Sequence, residues 1–399
     1  MKLFEIGKYI SLIYLMINLL SSLFWPLGDL FFFENYLFLP ALIFAVYIFF
    51  KSSIIYKKVV VSLLSLFVFY IVLELINKGS INLPHILYLM RWVKYGVLFL
   101  IAIYFYQNTS LNKSALIFKG LFLLVGAVNI LILVNIQGTG VLLQEYFTTY
   151  KPSFLLSNFY EPGVFRLSGS MNNPNDNAVI LGVFILFFTM HERFRDFYFA
   201  FFAIVLLLLT QSRTAIVSLI IISFIVLLYS FGRHQISKRK LLIFTGLTVL
   251  LLAFISLFNL HYLGSIFTGE AFQSNSVMIR VENFFEVVNV SPKTLYIGNG
   301  VIDDQLDLYG TYLDSEITLT IAQFGLLGLL AWFIFVVSAT LFWSREKVNF
   351  KLWVSLFFLY IGTSFTNLSF FSTQLGVIFF VFLALAINIE RENKIGSTR

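Results

Sequence analysis

Residues 196–231 read DFYFAFFAIVLLLLTQSRTAIVSLIIISFIVLLYSF, two apolar runs on either side of a short polar turn, 210–213. Each run is close to the length that an α-helix needs to cross a bilayer, about 20 mostly apolar residues. Backbone polar groups inside lipid must find partners within their own segment, so such runs fold as helices. The stretch therefore predicts two antiparallel membrane helices joined by a tight turn.

The rest of the chain repeats this pattern. Of 399 residues, 59% are hydrophobic and 12% are charged, whereas soluble globular proteins carry about 25% charged residues. A soluble domain is thereby excluded. The fold class is predicted to be all-α, a polytopic integral membrane protein with residues 1–399 as a single membrane domain. The apolar runs predict twelve spans, at 9–25, 36–50, 59–76, 84–106, 115–136, 176–190, 196–211, 214–231, 241–260, 316–342, 352–368 and 371–389.

The basic residues predict the orientation of these spans. When the spans alternate across a bilayer, most Lys and Arg residues fall on one side, and cytoplasmic loops carry such an excess. Both termini are therefore predicted to be cytoplasmic. The net charge of +7 then reports orientation, and no nucleic-acid partner is predicted. The basic residues expected to face outward are Lys78, Lys151, Arg166, Arg213, Arg280 and Lys293.

Two predicted external segments, 137–175 and 261–315, are much longer than the other connections. Long ordered loops in compact proteins commonly carry function. The second segment contains a predicted short helix over 276–288 and precedes the tenth span. We expect the two segments to form a cap over an active site on the external face.

Three of the outward arginines occupy polar settings that suit an anion. Arg166 lies where the first long loop meets the sixth span, and Arg213 lies in the tight turn. Arg280 follows Ser276 by four residues on the predicted loop helix, so the two share a face. A guanidinium holds phosphate with two parallel hydrogen bonds. The competing interpretation is that each arginine at a helix end extends to the lipid headgroups.

Asp314 and Glu316 lie where the second long loop enters the tenth span. Such a position can raise the pKa of a carboxylate toward that of a useful general base. The alternative is that these acids complement the helix dipole. Asp303 and Asp304 lack a third ligand at fixed spacing, and with no Cys and only four scattered His we predict no metal or other cofactor.

Inside the membrane, Glu74 and Arg91 are expected at similar depth on adjacent spans, which predicts a structural ion pair. Lys94 lies three residues after Arg91 and shares its helix face.

Four blocks in order along the chain resemble the O-antigen polymerase/O-antigen ligase family of bacterial membrane proteins. The blocks are Arg166-Leu-Ser-Gly169-Ser-Met-Asn-Asn-Pro174-Asn175; Thr210-Gln-Ser212-Arg213-Thr-Ala215; Ser276-Val-Met-Ile-Arg280 followed by Tyr296-Ile-Gly298-Asn-Gly300; and Asp314-Ser315-Glu316 with the trailing Gly325-Leu-Leu-Gly328. The similarity covers about residues 160–330, and the first five spans match only in hydropathy.

The resemblance implies a GT-C-like, lipid-dependent glycosyltransferase of the bacterial cytoplasmic (inner) membrane, acting in lipopolysaccharide or capsule biosynthesis. Polymerase members transfer a growing glycan from undecaprenyl diphosphate to a new lipid-linked repeat unit, with a chain-length regulator protein as a candidate partner. Our mechanism hypothesis is that Arg166, Arg213 and Arg280 bind the donor diphosphate and offset the charge that develops on it. In the same hypothesis Glu316, Asp314 and Arg280 are the catalytic candidates, and Glu161, Asn175, Ser212 and Ser276 have supporting roles.

Two alternatives accompany this interpretation. Ligase members of the family move the finished chain to lipid A-core and usually carry a His where this chain has Asp314, which favours a polymerase. The departure from the ligase His leaves the base open among Asp314, Glu316 and the acceptor's own geometry. A flippase of the same lipid-linked unit should show internal repeats and charges throughout a central cavity. Here intramembrane charges are few, no internal repeat is found, and polar residues concentrate in the two long loops.

Overall fold

The computed structural model describes residues 2–24, 31–134, 166–171, 173–190, 194–232, 275–289, 292–301, 315–343, 350–370 and 372–396. Within these ranges all regular secondary structure is helical, which confirms the predicted all-α class. The helices are α1 (Lys2–Leu23), α2 (Phe31–Lys51), α3 (Ile54–Lys78), α4 (Leu83–Leu89), α5 (Arg91–Asn108), α6 (Leu111–Val134), α7 (Pro174–Met190), α8 (Phe197–Thr210), α9 (Arg213–Gly232), α10 (Asn275–Val288), α11 (Pro292–Ile297), α12 (Glu316–Trp343), α13 (Phe350–Ser364) and α14 (Thr373–Gly396).

Each predicted span overlaps one or two of these helices, apart from 241–260, which lies outside the described residues. Among the described residues five helical stretches are long and apolar enough to cross a bilayer: Glu5–Leu23, Tyr56–Lys78, Leu83–Asn108, Lys113–Val134 and Glu316–Ser338. The shorter apolar helices are Tyr36–Lys51, Pro174–Met190, Phe197–Thr210, Arg213–Val226, Lys351–Ser364 and Thr373–Ala386. By length and composition these helices are compatible with a membrane protein, and the count of twelve spans stays a prediction.

Helix α5 lies at the centre of one group of helices and packs against α1, α2, α3 and α14. A second group consists of α7, which packs against α8 and α13, and α9, which packs against α13. Phenylalanine rings fill the space around α6 and α7, where Phe118 stacks on Phe194 with ring centroids 5.0 Å apart. Helix α12 packs against α3 and also carries α10 and α11 along its side.

Two of the predicted spans extend too far into the connection between them. The spans 352–368 and 371–389 leave only two residues between them, whereas α13 ends at Ser364 and α14 begins at Thr373. We call residues 365–372 the α13–α14 connection. It is rich in hydroxyl and amide side chains, which compete with helical hydrogen bonds by bonding to nearby backbone groups.

Long-range hydrogen bonds link α3 to α11, α6 to α7, Arg166 to the end of α8, and the beginning of α12 to the α13–α14 connection. We call this end of the bundle, which holds Arg166 and Arg213, the arginine end. Successive spans are expected to alternate in direction, and that alternation places the predicted external helix ends together here.

Candidate functional site

Arg166 is fastened to the end of α8. Its Nε donates a hydrogen bond to the carbonyl oxygen of Thr210 at 3.2 Å, and its Nη2 donates to Asn175 Oδ1 at 2.8 Å. The next residue continues this pairing, because Leu167 N donates to Leu209 O at 2.9 Å. The guanidinium is half-buried and its orientation is fixed by groups on two different helices.

The Asn-Pro-Asn motif builds the beginning of α7. Asn173 Oδ1 accepts a hydrogen bond from Asn175 N at 2.9 Å, as the side chain of a helix N-cap does. Pro174 follows as the first helical residue, where its missing N–H costs nothing. The side chain of Asn175 turns its Oδ1 to Arg166. Residues 173–175 therefore both begin helix α7 and orient the side chain of Arg166.

A buried pair of asparagines, Asn129 and Asn177, is hydrogen-bonded to the segment that contains Arg166 and Leu167. Asn177 Nδ2 donates to Asn129 Oδ1 at 2.9 Å and also lies 3.3 Å from Leu167 O. Gly169 passes over this pair with φ of +59°, and a Cβ there would collide with Asn129 Oδ1 and Asn177 Nδ2. Sequence reasoning missed Asn129, although a lone Asn inside an apolar span is itself a signal of a polar contact.

Arg213 begins α9 directly after the tight turn that the sequence predicts. Helix α8 ends at Thr210, and Gln211 adopts a left-handed conformation, with φ of 52°. Ser212 is fully buried, and its N–H donates to Thr210 Oγ1 at 3.2 Å. Because Arg166 binds the carbonyl oxygen of Thr210, its side chain lies at the junction after which Arg213 begins α9.

The α13–α14 connection is hydrogen-bonded both to the beginning of α9 and to the beginning of α12. Thr214 Oγ1 and Thr366 Oγ1 share a hydrogen bond at 2.9 Å. Asn367 Nδ2 donates to Asp176 Oδ1 at 3.2 Å, and Asn367 O accepts from Glu316 N at 3.3 Å. Sequence reasoning missed this connection because part of it was included in two apolar spans. The available signal was the run of polar side chains at Thr363, Ser364, Thr366, Asn367, Ser369, Ser372, Thr373 and Gln374.

Glu316 is the first residue of α12, and its side chain is 0% exposed. Its Oε2 accepts a hydrogen bond from Phe370 N at 2.5 Å. Phe370 O in turn accepts from Tyr95 Oη at 3.0 Å, which links the connection to α5. The carboxylate thus fastens the α13–α14 connection to α12, below the surface of the protein.

Arg280 lies on α10, which confirms the predicted loop helix. Helix α10 packs against α12 through a face that includes the buried residues Asn283 and Val287, and Arg280 is half-buried. Ser276 lies in the first turn of the same helix. Glu161 and Asp314 lie outside the described residues, as do Asp303 and Asp304. Among the described residues there is no group of three or more His, Cys, Asp or Glu that could hold a metal ion.

The glycines of the third and fourth sequence blocks meet at a break in α12. Gly325 has non-helical torsions, φ of 65° and ψ of −168°, inside the helix. The segment after α11 enters this break: Asn299 N donates to Ala322 O at 2.9 Å, and Gly300 N donates to Gln323 O at 2.8 Å. A kinked helix leaves carbonyl oxygens without their usual partners, so the inserted segment satisfies them.

Glu74 holds the inserted segment from the side of α3. Its Oε2 accepts from Val301 N at 2.6 Å, and its Oε1 lies 2.7 Å from His85 Nδ1 and 3.8 Å from Lys78 Nζ. Glu74 is 0% exposed and His85 is 2% exposed. The predicted partner Arg91 places its guanidinium 3.6 Å from the ring centroid of Tyr88. His85 was not expected here, since spacing along α3 and α4 does not show which side chains meet.

Comparison of the chain with protein-family models, with curated proteins and with solved structures gives no match.

Proposed function

We propose that the chain is a membrane-embedded glycan polymerase of the external face of the bacterial cytoplasmic membrane. It would transfer a growing chain from undecaprenyl diphosphate to a new lipid-linked repeat unit. In this proposal the chain has twelve spans with both termini in the cytoplasm, a GT-C-like architecture, and a chain-length regulator protein as a further partner.

The observation that carries the proposal is the attachment of Arg166 to the end of α8, at the turn after which Arg213 begins α9. Arg166 Nε binds Thr210 O, three residues before Arg213. Both residues are half-buried, so each is partly exposed while its surroundings limit its motion. Fixed positive groups of this kind stabilise charge that develops on a departing diphosphate, and arginine suits phosphate by its planar fork of donors.

The proposed reaction is a single displacement of diphosphate. A hydroxyl oxygen of the acceptor sugar forms a bond to the anomeric carbon of the donor glycan. The bond between that carbon and the diphosphate oxygen breaks, and the diphosphate leaves with the electron pair. Arg166, Arg213 and Arg280 stabilise the departing charge, and a carboxylate accepts the hydroxyl proton.

Asp314 and Glu316 are the two candidates for that carboxylate. Glu316 is buried and bound to Phe370 N, which favours a positioning role for it, because a base must reach the proton that it removes. Under this assignment Glu316 holds the α13–α14 connection beside the arginines, and Asp314, two residues earlier in the chain, accepts the proton.

The direct test is elongation by purified protein in vesicles that contain lipid-linked repeat units. The wild-type protein is expected to give a ladder of longer lipid-linked glycans, and Arg166→Ala and Arg166→Lys are expected to lose the long products. Lysine should not substitute, because it keeps the charge but lacks the paired donors that reach both Thr210 and Asn175.

Each alternative predicts a different product. A flippase would move the repeat unit across the vesicle membrane and leave its length unchanged. A ligase would lengthen nothing until lipid A-core is added. A wild-type protein that folds and yields only single repeat units would overturn the polymerase assignment.

A further inference from the structure

Helix α10 carries different kinds of side chain on its different faces. Asn283 and Val287 are buried against α12, and Arg280 lies on the same side of the helix by its spacing of three and seven residues from them. Glu282 and Glu286, four residues apart, form an exposed acidic edge. The side opposite Asn283 therefore faces away from the bundle.

That outward side is apolar. Met278, Val281 and Phe285 follow one another at intervals of three and four residues, so they form one stripe. Their side chains are 50%, 48% and 55% exposed. Burial of apolar area is worth about 25 cal/mol per Å². A stripe of this size, left in water, would therefore be costly.

Contacts further along the chain fix the height of α10 along the bundle. Only three residues separate α10 from α11. The end of α11 is bound by Asn77 Nδ2, which donates to Ile297 O at 2.7 Å, and Lys78 Nζ donates to Val301 O at 2.5 Å. Lys78 is the last residue of the apolar helical stretch Tyr56–Lys78. Helices α10 and α11 are thus attached to the bundle where a membrane-crossing stretch ends.

The apolar stripe of α10 continues a larger apolar surface of the bundle. Helix α12, on which α10 packs, exposes Leu326, Leu330 and Phe333 beyond the contact. Helix α3, which packs on α12, exposes Val68 and Val72. Exposed apolar side chains on helices long enough to span a bilayer face lipid. The stripe therefore belongs to a helix that packs beside an apolar surface suited to contact with lipid.

We propose that α10 is an in-plane interfacial helix whose Met278–Val281–Phe285 stripe is inserted into the external leaflet of the bilayer. The acidic edge then faces water, and Arg280, on the side toward α12, lies at the depth of lipid headgroups. Because the exposed charged groups of α10 are acidic, insertion depends on apolar area and does not require anionic lipid. This inference concerns the contact with lipid and holds whether or not the chain elongates glycans.

The absence of cysteine from the chain permits a clean test. Single-cysteine variants Val281→Cys and Phe285→Cys are reconstituted in phosphatidylcholine vesicles, beside the matched controls Glu282→Cys and Glu286→Cys. All four are reacted with a membrane-impermeant maleimide. Since a helix of this kind places its apolar face about 5–10 Å into the headgroup and acyl boundary, labelling at 281 and 285 should be about ten-fold slower than at 282 and 286.

The other possible results indicate whether the stripe contacts water, a protein partner or specifically anionic lipid. Equal labelling rates at all four positions, in protein that remains folded, would overturn the proposal by showing that the stripe faces water. Slow labelling at 281 and 285 in native membranes, with fast labelling in the vesicles, would also overturn it and indicate a protein partner. Protection that appears only when anionic lipid is present would contradict the role given to apolar area.

Discussion

The two ends of the helix bundle hold their polar groups in different ways. At the arginine end, polar groups that are far apart in sequence meet below the surface: Glu316 Oε2 with Phe370 N at 2.5 Å, and Asn177 Nδ2 with Asn129 Oδ1 at 2.9 Å. These groups are buried. Each bond joins one helix to another helix or connection.

The opposite end, which we call the lysine end, holds Lys8, Lys51, Lys57, Lys119 and Arg195. Here the Lys119–Asp196 ion pair, at 2.7 Å, leaves the two side chains 33% and 20% exposed. Lys8 and Glu5 lie 3.8 Å apart within one helix, and their side chains are 33% and 50% exposed. Arg195 places its guanidinium 4.7 Å from the ring centroid of Phe197.

This contrast shows which end is built to keep its geometry. An exposed ion pair contributes about 0–1 kcal/mol and is easily exchanged for water. Loss of one partner of a buried hydrogen bond costs about 1–3 kcal/mol, because the other group is left without a partner. The arginine end therefore keeps its polar groups in place, as the proposed site for a charged substrate requires, whereas the ion pairs of the lysine end lie nearer the surface and exchange more easily with water.

Replacement of the two arginines that flank α8 should give the largest difference in activity between the arginine end and the lysine end. Arg213→Ala should abolish long products in the elongation assay, because it removes a charge from the proposed diphosphate site. Arg195→Ala, just before the other end of α8, should leave the product ladder unchanged. Both variants should keep the wild-type melting temperature to within a few degrees. Equal activity of the two variants would contradict the functional distinction between the ends.

Glycine substitutions should show the next largest effect, on stability. Gly298 has φ of +79°, and a Cβ there would collide with the backbone of Gln323 and Phe324. Gly298→Ala should destabilise the protein by about 3 kcal/mol through strain and overpacking. Gly120 lies in α6, and a Cβ added there would meet no atom within 4 Å, so Gly120→Ala should stabilise by about 0.5–1 kcal/mol. Thermal unfolding in detergent measures both.

Glu316 distinguishes a positioning carboxylate from a catalytic one. Glu316→Ala should cost about 1–3 kcal/mol, because Phe370 N–H loses its acceptor inside the protein. Glu316→Gln retains an acceptor oxygen and should largely restore the melting temperature. If Glu316 positions the connection, the Gln variant also regains elongation activity. A stable Gln variant with a strongly reduced kcat and an unchanged KM would instead assign proton transfer to Glu316.

The smallest effect is expected at Asp196, at the lysine end. A hydrogen bond from Lys119 lowers the pKa of the Asp196 carboxyl, with help from the backbone N–H groups of Phe199 and Tyr198. A lowered folded-state pKa means that this stabilisation is present above the unfolded value of about 3.9 and is lost as the pH falls through the lower folded value. Asp196→Ala also removes the N-cap of α8, at about 1 kcal/mol.

Melting curves of the wild type and of Asp196→Ala, recorded between pH 7 and pH 3, check this. The difference in melting temperature between the two proteins should be constant near neutral pH and should narrow below about pH 4. A difference that widens as the pH falls would contradict the assigned sign of the pKa shift.

The sequence predicts the helices well and the contacts among them poorly. The positions of α7, α8 and α9 and the turn at Arg213 follow from local hydropathy and from capping residues such as Asn173 and Pro174. The α13–α14 connection was partly assigned to apolar spans, since a few polar residues between two long runs barely change the mean hydropathy. The break at Gly325 was likewise hidden, because its cause lies in a segment 25 residues earlier in the chain.

Local patterns of residues were enough to establish that the chain forms apolar helices, where most of them begin and end, and which arginines stand beside their ends. They were enough because a helix in lipid satisfies its backbone locally. The pairing of Glu316 with Phe370, and of Glu74 with His85 and Val301, emerged only from the folded structure. Such pairs lie on different elements, and their choice depends on how the helices pack together, which no local pattern of residues records.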